Sequence, residues 1–264
     1  MEQTKTAILV ISHKPYWLPE EPAYLPVWVG KEAPPDNRWR RDNEGENIAD
    51  KNATFCELTG LYWAWKNVKA EIYGLCHYRR YMGSLLSPLS RMLKKKEEQI
   101  LTEPQIEVIL RGYDVILPRK RQYWIETRES QYAHAHHIED LQCVEGILAE
   151  RYPEYLPDWK WMLGTRSGHI CNMFIMRREQ LDAYCTWLFD ILFEAEKRLD
   201  LSSYNDNDRR AFGFLGERLL DVWIRRNGLE TLEVPMINLE KQHWLRKGTA
   251  FVKRKVTRDK KGSV

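Results

Sequence analysis

Hydrophobic positions along the chain fall into short unbroken runs separated by longer stretches of helical period. Ala7-Ile8-Leu9-Val10-Ile11-Ser12 is apolar and partly β-branched without alternation, which predicts a strand buried on both faces. Ile72–Cys76 and Asp114–Pro118 repeat that signature, His169–Met176 predicts another strand, and Thr231–Val234 is a candidate last one. Leu58, Leu61, Tyr62 and Trp65 recur at helical spacing behind Thr54-Phe55-Cys56-Glu57, a capping-box pattern. It predicts a helix over Phe55–Asn67, with Thr54 as N-cap and Glu57 reaching back. Ser87–Arg111, Ile138–Arg151, Glu179–Leu199 and Arg209–Arg226 also read as helical, whereas Pro19–Glu46 has no period and many Pro, Asp, Asn and Gly residues, which predicts a long loop. Strands alternating with helices predict an α/β fold with a mainly parallel central sheet flanked by helices. The expected organisation is one domain over residues 1–250 followed by a basic, flexible tail over 251–264.

Three of the apolar runs end in polar clusters: His13-Lys14, His77-Tyr78-Arg79-Arg80-Tyr81, and Arg119-Lys120-Arg121. Ligands of open α/β sheets bind outside the carboxyl ends of the strands. If the strands are parallel, these clusters share one rim.

Composition narrows the class. With 43% hydrophobic and 30% charged residues the 264-residue chain reads as a soluble globular protein. A net charge of +3, with 38 acidic residues balancing the bases, disfavours a nucleic-acid partner. Lys253–Lys261 is locally basic and reads either as a solvated terminus or as a site of attraction to anionic lipid. Five cysteines without CxxC spacing, set among apolar neighbours, predict reduced thiols, not a disulfide framework or a zinc site. Met1–Ala7 lacks the pattern of a signal peptide and no apolar run approaches ~18 residues. The expected location is the cytoplasm, with at most peripheral contact on the inner face of the plasma membrane. GxGxxG, P-loop, GxSxG and HExxH signatures are all missing, which removes the common dinucleotide, NTPase, serine-hydrolase and metalloprotease readings.

Four clusters can carry chemistry. Arg79 and Arg80 beside His77 suit diphosphate oxygens, because a guanidinium is always charged and bonds two oxygens at once. The alternative is an arginine paired with a carboxylate at the core's edge. Asp42–Asn52, with Asp42, Asn47 and Lys51, places carboxylates and amides before a helix start and reads either as a nucleobase and ribose contact or as an ordinary surface loop. His134, His136 and His137 near Asp140 read as a partly exposed loop more readily than as a metal site, while His169 and Asn172 are candidates for a phosphate or acceptor contact or for satisfied core positions. Asp206 and Asp208 could hold a divalent metal (Mn or Mg), but N-capping explains them as simply. Glu217, in the small and apolar setting of Phe212–Gly216, reads as a general base or as a surface partner of Arg218 or Arg210.

Several blocks together resemble a bacterial family of capsular and exopolysaccharide biosynthesis glycosyltransferases: Asn47–Asn52, Phe55–Asn67, Gly74–Tyr81, Gly168–Met176, Tyr184–Asp190 and Phe212–Leu220. The resemblance is colinear from about residue 6 to 237. It implies a glycosyltransferase A-type fold. It also implies an activity, transfer of a sugar, galactofuranose being the leading guess, from a UDP-sugar donor to a saccharide or polyprenyl-linked acceptor. The strand ending in His77–Tyr81 stands where this fold usually carries Asp-x-Asp, so cationic side chains are expected to replace a metal at the leaving diphosphate. Glu217 falls where inverting enzymes of the fold place their base. The alternatives are a nucleotide-sugar hydrolase or phosphotransferase on the same sheet, and a non-catalytic scaffold in a polysaccharide-assembly complex.

Overall fold

The computed structural model describes residues 4–240; the basic stretch Lys253–Lys261 lies outside the described residues. The strands are β1 (Thr4–Ser12), β2 (Tyr24–Trp28), β3 (Arg40–Arg41), β4 (Ala70–His77), β5 (Arg80–Met82), β6 (Val115–Pro118), β7 (Arg121–Gln122), β8 (Ser167–Gly168), β9 (Phe174–Arg177), β10 (Thr231–Val234) and β11 (Met236–Asn238). Nine of them form one sheet, whose main path runs β10-β6-β9-β4-β1-β2-β3. β1 is parallel to β2 and β4, and β10 is parallel to β6. β9 alone on that path is reversed, pairing antiparallel with both β4 and β6. β4 and β6 therefore point the same way, and the carboxyl ends of β1, β4 and β6 share one edge, as the three polar clusters anticipate.

Helices α1 (Asn52–Phe55), α2 (Leu58–Asn67), α3 (Pro88–Leu93), α4 (Glu103–Leu110), α5 (Arg128–Ala135), α6 (Ile138–Arg151), α7 (Leu156–Gly164), α8 (Arg178–Arg198) and α9 (Ala211–Arg226) complete the fold. The unbroken apolar run of β1 follows from burial on both faces. Ala7, Leu9 and Ile11 belong to the core under α2 and α6–α9, while Ile8 and Val10 belong to the opposite core, which includes Ile106 and Leu110 of α4. Gly60 lets α2 lie against β1, since a Cβ there would sit 2.5 Å from Ile11 Cδ1.

Four expectations need correction. The helical stretch 87–111 divides into α3 and α4, with residues 94–102 between them outside any α-helix. The stretch 19–46 contains β2 and β3. Pro26 disguises β2, and it is tolerated because β3 reaches only Val27 and Trp28, so at Pro26 the strand is an edge. The helix expected over Phe55–Asn67 is broken at Cys56, whose φ of 53° is left-handed. Thr54 lies inside α1, its hydroxyl donating to the Lys51 carbonyl at 3.1 Å, and the Glu57 side chain makes no cap. Finally, β9 begins only at Phe174: Cys171 and Asn172, with φ of 69° and 49°, form a tight left-handed turn in place of the expected strand start.

Candidate functional site

At the carboxyl edge of β1 and β4 the sheet opens into a cavity of about 600 Å³, roofed by α1 and α9 and lined in part by His13, Glu57, His77, Arg80, Arg210 and Glu217. The polar clusters at the ends of β1 and β4 thus meet around one space, with Arg121 of β7 joining them.

Glu217 is the best-defined group in it. The carboxylate stands on α9, its Oε1 accepting the Cys171 N–H at 2.6 Å, with Arg218 Nη1 3.7 Å from Oε2. Its side chain keeps 18% exposure, so one oxygen edge faces the cavity. Burial raises its pKa above the ordinary 4.5, Glu57 adds to the rise, and Arg218 opposes it. A carboxylate held partly dry and poised upward is suited to accept a proton near neutral pH. The pairing with Arg218 is not a surface contact: Arg218 is buried, donates to the Phe214 carbonyl at 2.8 Å and lies over the Tyr132 ring at 4.4 Å.

The left-handed turn at Cys171–Asn172 organises the floor. While the Cys171 N–H holds Glu217, its carbonyl accepts from His77 Nε2 at 2.7 Å. His77 therefore carries its proton on Nε2 and leaves Nδ1 unprotonated, and burial lowers its pKa, so the ring is neutral. Asn172 donates to Glu57 Oε1 at 2.9 Å and to the Gly213 carbonyl at 3.0 Å, bracing a second carboxylate, itself 4.0 Å from His77 Nε2. A Cβ on Gly216 would come within 2.8 Å of Asn172 Oδ1, so glycine is required there. The thiols beside these groups are not nucleophiles, because burial pushes Cys56 up to about 11 and Cys171 up to about 12.

Positive charge dominates the walls, with five arginines against three carboxylates. Arg79 is engaged by Glu240 at 2.8 Å. Arg80 and Arg210 meet no carboxylate within 4 Å among the described residues; Arg210 rests on Cys56 Sγ at 3.2 Å and over the Phe214 ring. His13 has its pKa lowered by burial and then by Lys14, Arg79 and Arg210, a measure of how cationic this edge is. Lys14 projects over Tyr78, which lines the cavity. Such a site favours an anion with several oxygens.

Other candidates fall elsewhere. Asp42 is buried beneath α2, accepting from Thr59 at 2.6 Å. Asn47 caps its own loop through the Ala49 N–H, and Lys51 pairs with Glu196 at 2.8 Å; none of the three lines the cavity. His169 is buried against Asp221, which also holds Arg128, so it serves the floor from behind. Asp206 does line the cavity, but Asp208 is taken up by His136 at 2.9 Å and by Asn205 at 2.6 Å. The pair does not present two free hard oxygens to one metal, and no group of three metal-binding side chains stands together among the described residues. Glu57, Arg210 and Arg218 were obscured in the sequence by cheaper local roles as cap and surface ion pair, and no local signal distinguishes them.

Fold and site define an α/β protein with a cation-walled ligand cavity at the carboxyl ends of parallel strands. The chain belongs to a family described as a domain of unknown function, DUF4422, which it matches over residues 7–228. It is also similar to a solved structure of WbbM, a bifunctional glycosyltransferase in its apo form, with 27% sequence identity and a TM-score of 0.79. That similarity covers 90% of this chain and 46% of WbbM, so the chain spans about half of that protein. No curated protein sequence matches the chain. Five free cysteines agree with the absence of a disulfide framework, and no helix among the described residues is long and apolar enough to cross a membrane.

Proposed function

We propose that the protein is a glycosyltransferase that moves a sugar from a nucleoside-diphosphate donor onto a saccharide or polyprenyl-linked acceptor in cell-surface polysaccharide synthesis, a UDP-linked galactofuranose being the leading donor. One observation carries this reading: a partly dry carboxylate, Glu217, faces guanidinium groups that meet no carboxylate among the described residues, across a single cavity at the sheet's carboxyl edge. The similarity to WbbM supports it.

In this reading the donor diphosphate lies against Arg80 and Arg210, with Arg79 joining when it exchanges Glu240 for phosphate. The acceptor hydroxyl gives its proton to Glu217 as its oxygen bonds to the anomeric carbon. The bond from that carbon to the diphosphate oxygen breaks, and its electron pair leaves with the diphosphate. Attack opposite the leaving group inverts the anomeric centre. The guanidinium groups stabilise the charge that develops on the leaving oxygen, the kind of fixed electrostatics that contributes most when water is excluded.

The test begins with a thermal-shift panel of UDP, GDP, CMP and their sugars, with and without Mn²⁺. Product analysis with and without an acceptor then separates transfer from hydrolysis. Glu217→Gln should lower kcat by about 10²–10⁴-fold while leaving nucleotide binding intact. Stabilisation by no nucleotide would favour a non-catalytic scaffold and end this reading.

A further inference from the structure

We propose that the apolar face of α3 and the lysines that follow it form a docking surface for an anionic lipid bilayer. Of the ten exposed large hydrophobic residues among the described ones, four lie within residues 85–93: Leu85 at 56%, Leu89 at 67%, Met92 at 84% and Leu93 at 78% exposure. Leu89, Met92 and Leu93 are spaced three and four apart and share one side of the helix. α3 has six residues and buries none of them. A helix this short gains its stability from packing its apolar side against something, and the rest of the described chain does not cover that side.

The segment is nonetheless preformed. Ser87 caps it by accepting from the Ser90 N–H at 3.2 Å, and Gln99 donates to the carbonyls of Arg91 and Lys94 at 3.1 and 2.9 Å. Lys96 reaches the Asn238 carbonyl. The apolar residues are thus held outward on a braced loop.

Charge selects the occupant. Arg91, Lys94, Lys95 and Lys96 stand beside the apolar face, against Glu97 and Glu98. Glu98 is in part occupied by the Lys95 N–H at 3.3 Å, and Lys94 and Lys95 are exposed without an ion pair among the described residues. The chain's own terminal stretch, Lys253–Lys261, is itself basic and does not complement this surface. A second copy seated face to face would set lysine against lysine. An anionic bilayer satisfies both features at once, taking the leucines and methionine below its headgroups and the lysines among them.

The proposal goes beyond the sugar-transfer reading and stands without it, although it bears on where an acceptor arrives. Leu85, next to that surface, follows Arg80 of the cavity lining by five residues, a span of at most about 18 Å.

Vesicle co-sedimentation of the full chain tests it, with phosphatidylcholine alone and with phosphatidylcholine mixed with phosphatidylglycerol. The protein should sediment with the mixed vesicles and far less with the neutral ones. A Leu89→Ser, Met92→Ser, Leu93→Ser variant keeps the net charge and alters only exposed side chains, so its melting temperature should be unchanged. It should lose binding by about tenfold or more. Lys94→Glu with Lys95→Glu should lose binding and also lose its salt dependence in proportion. If the triple serine variant binds as the wild type does, the attraction resides in the basic terminal stretch alone and the proposal falls. It falls equally if sedimentation equilibrium shows a dimer that the serine variant dissolves, because the face is then a contact between copies. Nucleotide binding, read separately, should be the same in every variant.

Discussion

A single residue, Cys171, touches both Glu217 and His77, its N–H donating to the carboxylate and its carbonyl accepting from the imidazole. Its neighbour Asn172 sits at a φ of 49°, where a side chain with a Cβ is disfavoured. Asn172→Ala should destabilise the protein by about 1–3 kcal/mol in denaturant titration, since it keeps the backbone strain and removes two hydrogen bonds. Asn172→Gly loses the same bonds but relieves the strain, so it should recover about 1 kcal/mol of that deficit. Equal losses in the two variants would show that the turn is not strained. For Glu217 the sign of the pH effect follows from its raised pKa: protonation persists above 4.5, and only the ionised form accepts a proton. The acidic limb of a kcat profile should therefore lie above 4.5, and in Glu217→Gln that limb should vanish along with most of the rate. A limb at or below 4.5 would assign the base elsewhere.

Among the elements, β1, β4 and β6 were legible because strands buried on both faces write themselves as apolar runs, and because each run ends in a polar cluster. Helices α6, α8 and α9 were legible to within two residues from their period. What escaped was set by distant contacts. The break at Cys56 turns the Glu57 carboxylate toward Asn172, 115 residues away, and no local propensity encodes that. Pro26 hid β2, and the direction of β9 depends on partners rather than on its own residues. Half of the site was legible for the same reason: Arg80 and Glu217 announce themselves by setting, whereas Arg210 and Arg218 looked like surface charge. Close packing between elements is also testable. Gly60→Val would drive atoms into Ile11 and Val27 where α2 meets β1. It should cost about 1–3 kcal/mol by overpacking and lower Tm by roughly 2–4 °C per kcal/mol.

At the scale of the whole molecule, an ionic chain that is buried at one end and exposed at the other links the back of the site to the end of the sheet. His169 lies between Asp221 and Glu233, and Glu233 pairs with Lys120 at 3.3 Å. Burial alone would lower the His169 pKa, but its hydrogen bond to Asp221 and the Glu233 carboxylate 3.4 Å from its Nε2 hold it above 6.5. Its contribution to stability is thus complete below pH 6.5 and is lost as pH rises through the raised folded value. Glu233, brought down to about 2 chiefly by the His169 imidazole beside it, contributes above 4.5 and loses that contribution as pH falls toward about 2. The urea midpoint should accordingly decline above pH 6.5, and His169→Gln should flatten that decline; an unchanged slope would mean the imidazole is neutral in the native state.

The reversed strand β9 carries a kinetic consequence. β4 and β6 do not pair with each other; only β9, nearly sixty residues beyond β6, joins them. Until residues 174–177 are in place β6 has no strand to join, β4 keeps an open edge, and the turn that grips Glu217 and His77 has nothing to hang from. A chain emerging from the ribosome therefore cannot assemble its cavity from its first half. Its nascent form must carry sticky borders while it waits for the keystone, which makes slow maturation a natural companion of this topology.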